Sequence, residues 1–280
     1  ASAGTSNFRA GVNAGNSIQS GGNYNVTVGD EAGTAISTGD NNTFVGYASG
    51  DALTTGTESV AVGSNALSAA VASDKNTALG AYALRNDQEG ESSVAVGHQA
   101  LNAQNFTTAT SAYNVAVGAN AGVSVSTGTQ NTLVGGLAGD ALTTSTGNVA
   151  LGYNALSTAT TGNLNVAVGN SALANSSASN NTAVGFAANQ LNTTGSSNVS
   201  VGYVALNANT TGSDNTAVGA AALDANTTGS NHTAVGQGAL SGNTTGDNNT
   251  AVGRLALLDS TTGGANTALG YAAGTNATTA

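Results

Sequence analysis

The chain has 280 residues, of which 40 are Gly, 39% are hydrophobic and 6% are charged, and it contains no Pro, Cys, Met or Trp. The lack of Cys excludes disulfides and thiolate metal sites. Nucleic-acid binding is not expected, because phosphates need clustered Lys and Arg and this chain has only four scattered basic residues against 14 acidic ones. We expect no membrane insertion by this segment, since no apolar run reaches the roughly 18 to 20 residues of a membrane span.

A short motif, xxVG or xxLG, recurs from end to end, and its closing glycine is called the repeat Gly below. A degenerate first copy ends at Gly11. Later copies place the repeat Gly at 29, 46, 63, 80, 97, 118, 135, 152, 169, 185, 202, 219, 236, 253 and 270. The usual step is 17 residues, which gives sixteen copies and is typical of a solenoid. Both termini are in phase, so we expect residues 1–280 to be a single array truncated at both ends.

The three residues before each repeat Gly predict a β-strand. From the second copy on, Val or Leu stands next to the Gly and Val or Thr two residues earlier, and a small residue, usually Ala, stands between them. This alternation has the period of a strand. Hairpins are not expected, because no Gly follows Asn or Asp. We therefore predict an all-β parallel solenoid of about sixteen 17-residue coils, with an Asn ladder at the corner before each strand.

The columns of the repeat predict the core. We expect Val218, Val235 and Val252 to stack in one buried ladder. A second buried ladder is expected from Leu residues four positions after the repeat Gly, and where Gly replaces that Leu an apolar residue returns three positions later. The near-invariant Ala three positions after the repeat Gly is interpreted as a surface for close approach between chains. The Leu ladder comprises Leu223, Leu240 and Leu257; the replacements are Leu53 and Leu142; and the Ala column includes Ala66, Ala83, Ala100, Ala155 and Ala205.

The largest break in the period is the 21-residue step after Gly97. Extra residues must leave the coil, so we expect residues 102–114 to protrude, with Phe106 and Tyr113 exposed. These two rings make the loop a candidate binding surface, and the favoured alternative is a passive insertion. The nearby acidic residues Asp87, Glu89 and Glu91 have oxygen ligands suited to Ca²⁺, but a solvated loop is the favoured interpretation, and no metal site is predicted.

An aromatic residue directly follows the repeat Gly in five copies. Exposed rings at this position would stack on sugars; the alternative, which is favoured, is that each ring only covers a turn. Two of the rings are expected on adjacent coils. With the two rings of the insertion, the predicted ligand-contacting residues are Tyr47, Phe106, Tyr113, Tyr153, Phe186, Tyr203 and Tyr271.

No catalytic constellation is present. His98 and His232 occupy repeat columns, and no phosphate-binding loop or nucleophile motif occurs. We expect neither enzyme activity nor a cofactor. Asn-x-Ser/Thr sequons, for example at Asn105, Asn192, Asn209 and Asn226, arise from the repeat itself and matter only where the source glycosylates such sites.

The pattern N-[TV]-A-[VL]-G-x-x-A-L resembles the head repeats of trimeric autotransporter adhesins, whose motif is much like NSVAIG. The matching segments are SVAVG at 59–63 and 93–97 and NVAVG at 114–118 and 165–169. It is also similar to the NTAVGYxAL arrays of bacteriophage tail fibres, as in VGYVAL from Val201 and LGYNAL from Leu151. The resemblance implies a left-handed β-roll that trimerises side by side. The 17-residue coil departs from the adhesin heads, whose coils have about 14 residues.

The resemblance and the repeat together favour an extracellular fibre segment, on a cell surface or a virion, that attaches to a host-cell surface glycan or protein receptor. The alternative is an ice-binding solenoid. It is suggested by the TTG motif of five consecutive copies, although adjacent Thr residues on a strand point to opposite faces. The motif begins at Thr193, Thr210, Thr227, Thr244 and Thr261.

Overall fold

The computed structural model describes residues 4–275, and all the regular secondary structure in this range is β-strand. The chain divides into two compact units, Ala1–Thr146 and Gly147–Ala280. Each unit is a parallel solenoid, and the two together contain about sixteen coils of about 17 residues. The predicted fold class, an all-β parallel solenoid, is therefore confirmed.

In the first unit, eight strands pair in parallel in chain order, and two short strands form a separate parallel pair. The eight are β1 (Phe8–Ala10), β2 (Val26–Val28), β3 (Thr43–Val45), β4 (Val60–Val62), β5 (Thr77–Leu79), β7 (Val94–Val96), β9 (Val115–Val117) and β10 (Thr132–Val134); the separate pair is β6 (Gly90–Glu91) and β8 (Thr110–Ser111).

In the second unit, eight strands also pair in parallel in chain order, and each central residue is the partner of the next central residue. Equivalent residues of successive coils therefore form columns. The strands are β11 (Val149–Leu151), β12 (Val166–Val168), β13 (Thr182–Val184), β14 (Val199–Val201), β15 (Thr216–Val218), β16 (Thr233–Val235), β17 (Thr250–Val252) and β18 (Thr267–Leu269).

The strands face the core with their central residue, contrary to the sequence prediction. Val218, Val235 and Val252 stack in register as predicted, but they are only partly buried, whereas the central residues such as Ala234 are fully buried. The prediction that this Val ladder is buried in the core was therefore wrong, because the ladder lies on the outer face of the strands. The Leu column already fills the interior, so the space left opposite each strand suits the small central side chain.

The Leu ladder is confirmed. Leu223 and Leu240 are fully buried and Leu257 almost so, and they share one core cluster with the central Ala column. Leu53 and Leu142, which replace the usual Leu, are buried as well. The interpretation of the other Ala column as a contact between chains was wrong, because those side chains lie inside the coil. They are Ala66, Ala83, Ala100, Ala155 and Ala205.

Two strands of the first unit carry a bulky central residue in place of Ala, and glycines make room for it. Phe44 and Leu133 are fully buried. A Cβ added to Gly50 would lie 2.6 Å from the Phe44 ring, and one added to Gly122 would lie 2.7 Å from a Leu133 methyl group. Each bulky residue thus depends on Gly in its own coil and in the preceding one. The four glycines are Gly33, Gly50, Gly122 and Gly139.

The predicted Asn ladder forms the corner before the strands. The Oδ1 of Asn181 accepts the backbone N–H of Asn198 at 3.0 Å, and the Asn198 Oδ1 accepts that of Asn215 at 3.0 Å. Most of the corner Asn side chains also donate their Nδ2 to a backbone carbonyl of the next coil, as Asn198 does to Gly212 at 2.9 Å and Asn131 does to Ser145 at 2.8 Å. These buried amides are satisfied within the ladder, which explains why Asn recurs at this position.

A second buried Asn ladder was not predicted. Asn209 donates its Nδ2 to the Oδ1 of Asn192 at 3.0 Å and to the Gly212 carbonyl at 2.9 Å, and Asn226 repeats the pattern. All three side chains are fully buried. They are also three of the sequon asparagines, so glycosylation at these sites is incompatible with the folded coil.

The insertion after Gly97 is folded into the coil over most of its length. β8 pairs with β6, and only 107–109, Ser111 and Tyr113 are exposed between residues 102 and 114. The prediction that 102–114 protrudes was therefore too broad. Phe106 is 7% exposed, and its backbone N–H donates to Asp87 at 3.0 Å, so the prediction of an exposed Phe106 ring was wrong.

Candidate functional site

The outer strand face, defined here as the first and third residues of the three-residue strands, carries mainly Val, Leu and Thr side chains in each unit. In the second unit its third-position column runs from Leu151 through Val201 to Leu269, and its first-position column holds Val or Thr. Leu151, Val199 and Val201 are exposed, and most of the others are partly exposed. Because the columns are in register, the face is continuous from coil to coil within the unit. Contiguous exposed apolar surface is a common feature of protein interaction sites.

A second surface feature, the exposed row, consists of the residues that directly follow the repeat Gly. In the second unit the row carries four rings, a polar or small residue between some of them, and a single cation. Its members in chain order are Tyr153, Asn170, Phe186, Tyr203, Ala220, Gln237, Arg254 and Tyr271. The four predicted rings in this unit are all exposed.

Phe186 and Tyr203 stack on one another, which confirms that they lie on adjacent coils. Their ring centroids are 5.5 Å apart and the rings are inclined by 14°. Phe186 is 50% exposed and Tyr203 is 61% exposed. Offset stacking fixes both rings with little loss of exposed surface, so the pair is an ordered aromatic platform.

Arg254 is oriented by its neighbours in the exposed row. Its Nε donates to the Gln237 Oε1 at 3.0 Å, its Nη1 donates to the Tyr271 hydroxyl at 3.5 Å, and its Cζ lies 5.6 Å from the Tyr271 ring centroid. Arg254 is the only Lys or Arg between residues 147 and 280. The guanidinium is exposed and held in place, which suits recognition of an anion.

The exposed row of the first unit is less aromatic. Tyr47 is the single Tyr or Phe in it, and it is exposed, as is Tyr113 in the insertion. Beside the row, Tyr82 packs edge-on against His98 with centroids 6.0 Å apart, and Arg85 lies over the Tyr82 ring at 5.3 Å. Sequence analysis did not single out this cluster, because Tyr82 is one position out of the aromatic column.

Asp87 holds the insertion in place through hydrogen bonds. Its Oδ2 accepts from the Gln104 Nε2 at 2.6 Å, and its Oδ1 accepts the Gly90 and Phe106 N–H groups at 3.1 and 3.0 Å. Burial raises the pKa of the Asp87 carboxyl, and these hydrogen bonds oppose the rise. The solvated-loop interpretation was wrong for Asp87, which is fully buried. Among the described residues, no group of three His, Cys, Asp or Glu is arranged to hold a metal.

A Thr ladder runs along the TTG corner. The hydroxyl of Thr193 donates to the Thr210 carbonyl at 2.8 Å, and the pattern continues from Thr210 to Thr227 and from Thr227 to Thr244. The second Thr of each motif, such as Thr228, is exposed. The first hydroxyl of each motif is thus engaged by the backbone, while a regular line of Thr side chains reaches the surface.

His232 replaces Asn in the corner ladder and is almost fully buried. Its backbone N–H donates to the Asn215 Oδ1 at 3.0 Å, and its Nδ1 accepts the Asn249 N–H at 3.1 Å. Its Nε2 lies 3.0 Å from the Asn243 Nδ2, which also donates to the Gly246 carbonyl at 3.2 Å. Burial lowers the pKa of His232, against opposing contributions from the Gly246 backbone, Asp247 and the Asn249 backbone.

His232 makes the stability of its coil sensitive to acid. Because its folded pKa lies below the unfolded value of about 6.5, the unfolded chain binds the proton more readily. The free energy of unfolding therefore falls as the pH drops through this window. His232→Asn restores the usual ladder residue and removes this titration. In urea unfolding at pH 7.5 and pH 5, we expect the free energy of unfolding to fall less on acidification for His232→Asn than for the wild type. The same pH dependence in both proteins would contradict this assignment.

The described residues enclose no pocket, and none of them forms a helix able to cross a membrane. No protein-family model, curated protein or solved structure matches the chain. The candidate site is therefore defined by the chain's own geometry: an open outer strand face with an exposed row of rings along it.

Proposed function

We propose that the chain is a structural and adhesive segment of an extracellular fibre, on a cell surface or a virion, and that it acts by attachment rather than catalysis. Three copies associate side by side as a homotrimer through the outer strand face. The exposed rows then contact a surface glycan or protein receptor of the target cell.

The outer strand face carries this proposal. Within each unit the interior is closed by Ala and Leu, so the partly exposed Val and Leu columns are not needed for the core of a single chain. Their register makes a continuous strip of Val, Leu and Thr side chains within each unit, and burying apolar surface stabilises association by about 25 cal/mol per Å². A strip of this form fits another copy of itself, because side-by-side copies would present the same period.

Association is tested by placing charge on the strip. Val218 and Val235 are adjacent in their column and partly exposed, so we expect Val218→Asp/Val235→Asp to fold as a monomer, since the charges would be desolvated in the interface. The control is Thr211→Asp/Thr228→Asp, which changes two exposed residues at the TTG corner and should leave the trimer intact. Sedimentation equilibrium gives the mass and circular dichroism the fold. A wild-type protein that remains monomeric at all concentrations contradicts the proposal.

A second candidate function, ice binding, is favoured by the Thr ladder alone. Its exposed Thr residues are spaced by one coil along a straight line, as a surface matching a regular lattice requires. The hydroxyls of Thr193, Thr210 and Thr227 are already bonded to the backbone, which weakens this candidate. Measuring thermal hysteresis tests it, and the absence of hysteresis at high protein concentration removes it.

A further inference from the structure

The exposed row of the second unit has the geometry of a binding track rather than of isolated surface rings. β11 to β18 are paired in register within this unit, so the residues after each repeat Gly follow one another at about 4.8 Å per coil. Tyr153, Phe186, Tyr203 and Tyr271 are all exposed on this line. An extended polymer lying along the coils can contact them in turn.

The stacked pair leaves one ring face of each partner open toward a smaller neighbour. Phe186 and Tyr203 face each other, and the next row residues beyond them are Asn170 on one side and Ala220 on the other. Neither neighbour is large enough to cover a ring. Between Tyr153 and Phe186 the row thus has a step of two coils, about 9.6 Å, with the exposed Asn170 at its base.

The chemistry of the row matches a saccharide. The negative face of an aromatic ring attracts the polarised C–H groups of a pyranose, and the amides of Asn170 and Gln237 both donate and accept hydrogen bonds, as sugar hydroxyls require. The described residues offer no pocket for a small ligand. An open line of platforms and amides therefore fits several consecutive sugar rings.

Arg254 adds a requirement for negative charge. A guanidinium has five N–H donors, and the contacts with Gln237 and Tyr271 use two of them. The remaining donors of this oriented cation suit a carboxylate. Because the whole chain has a net charge of −10, its general field does not attract anions, and an acidic ligand depends on this one contact.

We propose that the exposed row of the second unit binds an extended acidic oligosaccharide, with pyranose rings packed against Phe186 and Tyr203 and a carboxylate held by Arg254. The inference rests on the proposed attachment role and specifies its ligand. From Phe186 to Arg254 the row covers four coils, about 19 Å at the usual strand spacing, so the ligand must be long enough to span that distance.

The test uses an array of acidic oligosaccharides of about this length together with their carboxyl-reduced neutral forms. We expect the full chain to bind acidic members. Phe186→Ala/Tyr203→Ala should weaken binding about tenfold or more, which corresponds to about 1.4 kcal/mol. Arg254→Gln should abolish the preference for the acidic over the reduced form while retaining weak binding to both.

Tyr24→Ala is the matched control, because Tyr24 is an exposed ring of the first unit that lies outside the exposed row. It should bind like the wild type, and all variants should keep the wild-type circular dichroism spectrum. Failure of every acidic oligosaccharide to bind, or unchanged binding by the Phe186/Tyr203 double variant, overturns the inference. Trimer formation and adhesion to target cells are measured in separate experiments, so the proposed function can be supported even when this inference fails.

Discussion

Replacing Ala234 with Asp is expected to unfold the coils around β16, whereas the same replacement at the next residue leaves the single chain folded. Ala234 is fully buried and pairs in register with Ala217 and Ala251. A carboxylate at this position would be desolvated among apolar side chains, a change that costs several kcal/mol. In thermal and urea unfolding we expect Ala234→Asp to lose most of the cooperative transition of the second unit.

The control is Val235→Asp, one residue along the same strand. Val235 points to the partly exposed outer face, so its charge remains solvated in the monomer, and we expect a small change in unfolding free energy. The comparison must be made under conditions where both variants are monomeric, because association also depends on this face. Equal destabilisation by the two substitutions would show that the strand does not have the side-chain orientation described above.

Replacing Gly236 with Ala should also be strongly destabilising, for two separable reasons. Gly236 has a φ of 132°, which non-glycine residues rarely adopt, and a Cβ there would lie 2.6 Å from the carbonyl carbon and oxygen of Gly253 in the next coil. Backbone strain alone costs about 1–3 kcal/mol. The contact adds to it, because the neighbouring backbone must move and its hydrogen bonds to the coil must stretch.

Gly270→Ala separates the two causes. Gly270 has a similar φ of 123°, but a Cβ there meets nothing within 4 Å in the described part of the chain. We expect Gly270→Ala to show only the strain, as a smaller loss of unfolding free energy and locally faster hydrogen exchange. If Gly236→Ala is no worse than Gly270→Ala, the close approach of successive coils does not limit this position.

The repeat period predicted most of the fold because a solenoid converts sequence period directly into spatial neighbours. The strands before each repeat Gly, the Leu223 column and the Asn198 corner follow from it, and so does the position of Phe186 and Tyr203 on adjacent coils. Each of these is a statement about which residues recur at the same place. Such statements need only the step of 17 residues and the rule that equivalent residues stack.

The orientation of the strand was not predictable in the same way. One face of the strand carries small residues and the other carries branched apolar residues. Either face could line the core, so the alternation predicts the strand but not which face is inside. The Leu column decides the orientation, because it fills the space opposite Ala234. Phe106 was misplaced because an insertion has no column to constrain it. The Asn192 ladder was missed because the sequence analysis interpreted these asparagines only as sequons that arise from the repeat.

The paired glycines around Phe44 and Leu133 restrict how an array of this kind can change its copy number by recombination between repeats. Deleting the copy that contains Gly122 would place Leu101 in the position next to Leu133 that Gly122 now occupies. The Leu101 side chain would then take the place of a glycine hydrogen atom and collide with the Leu133 side chain. Copies in the second unit with Ala in the strand and Leu after it, such as those around Ala217 and Ala234, carry no such dependence on their neighbours. Genetic gain and loss of coils should therefore concentrate in that uniform stretch.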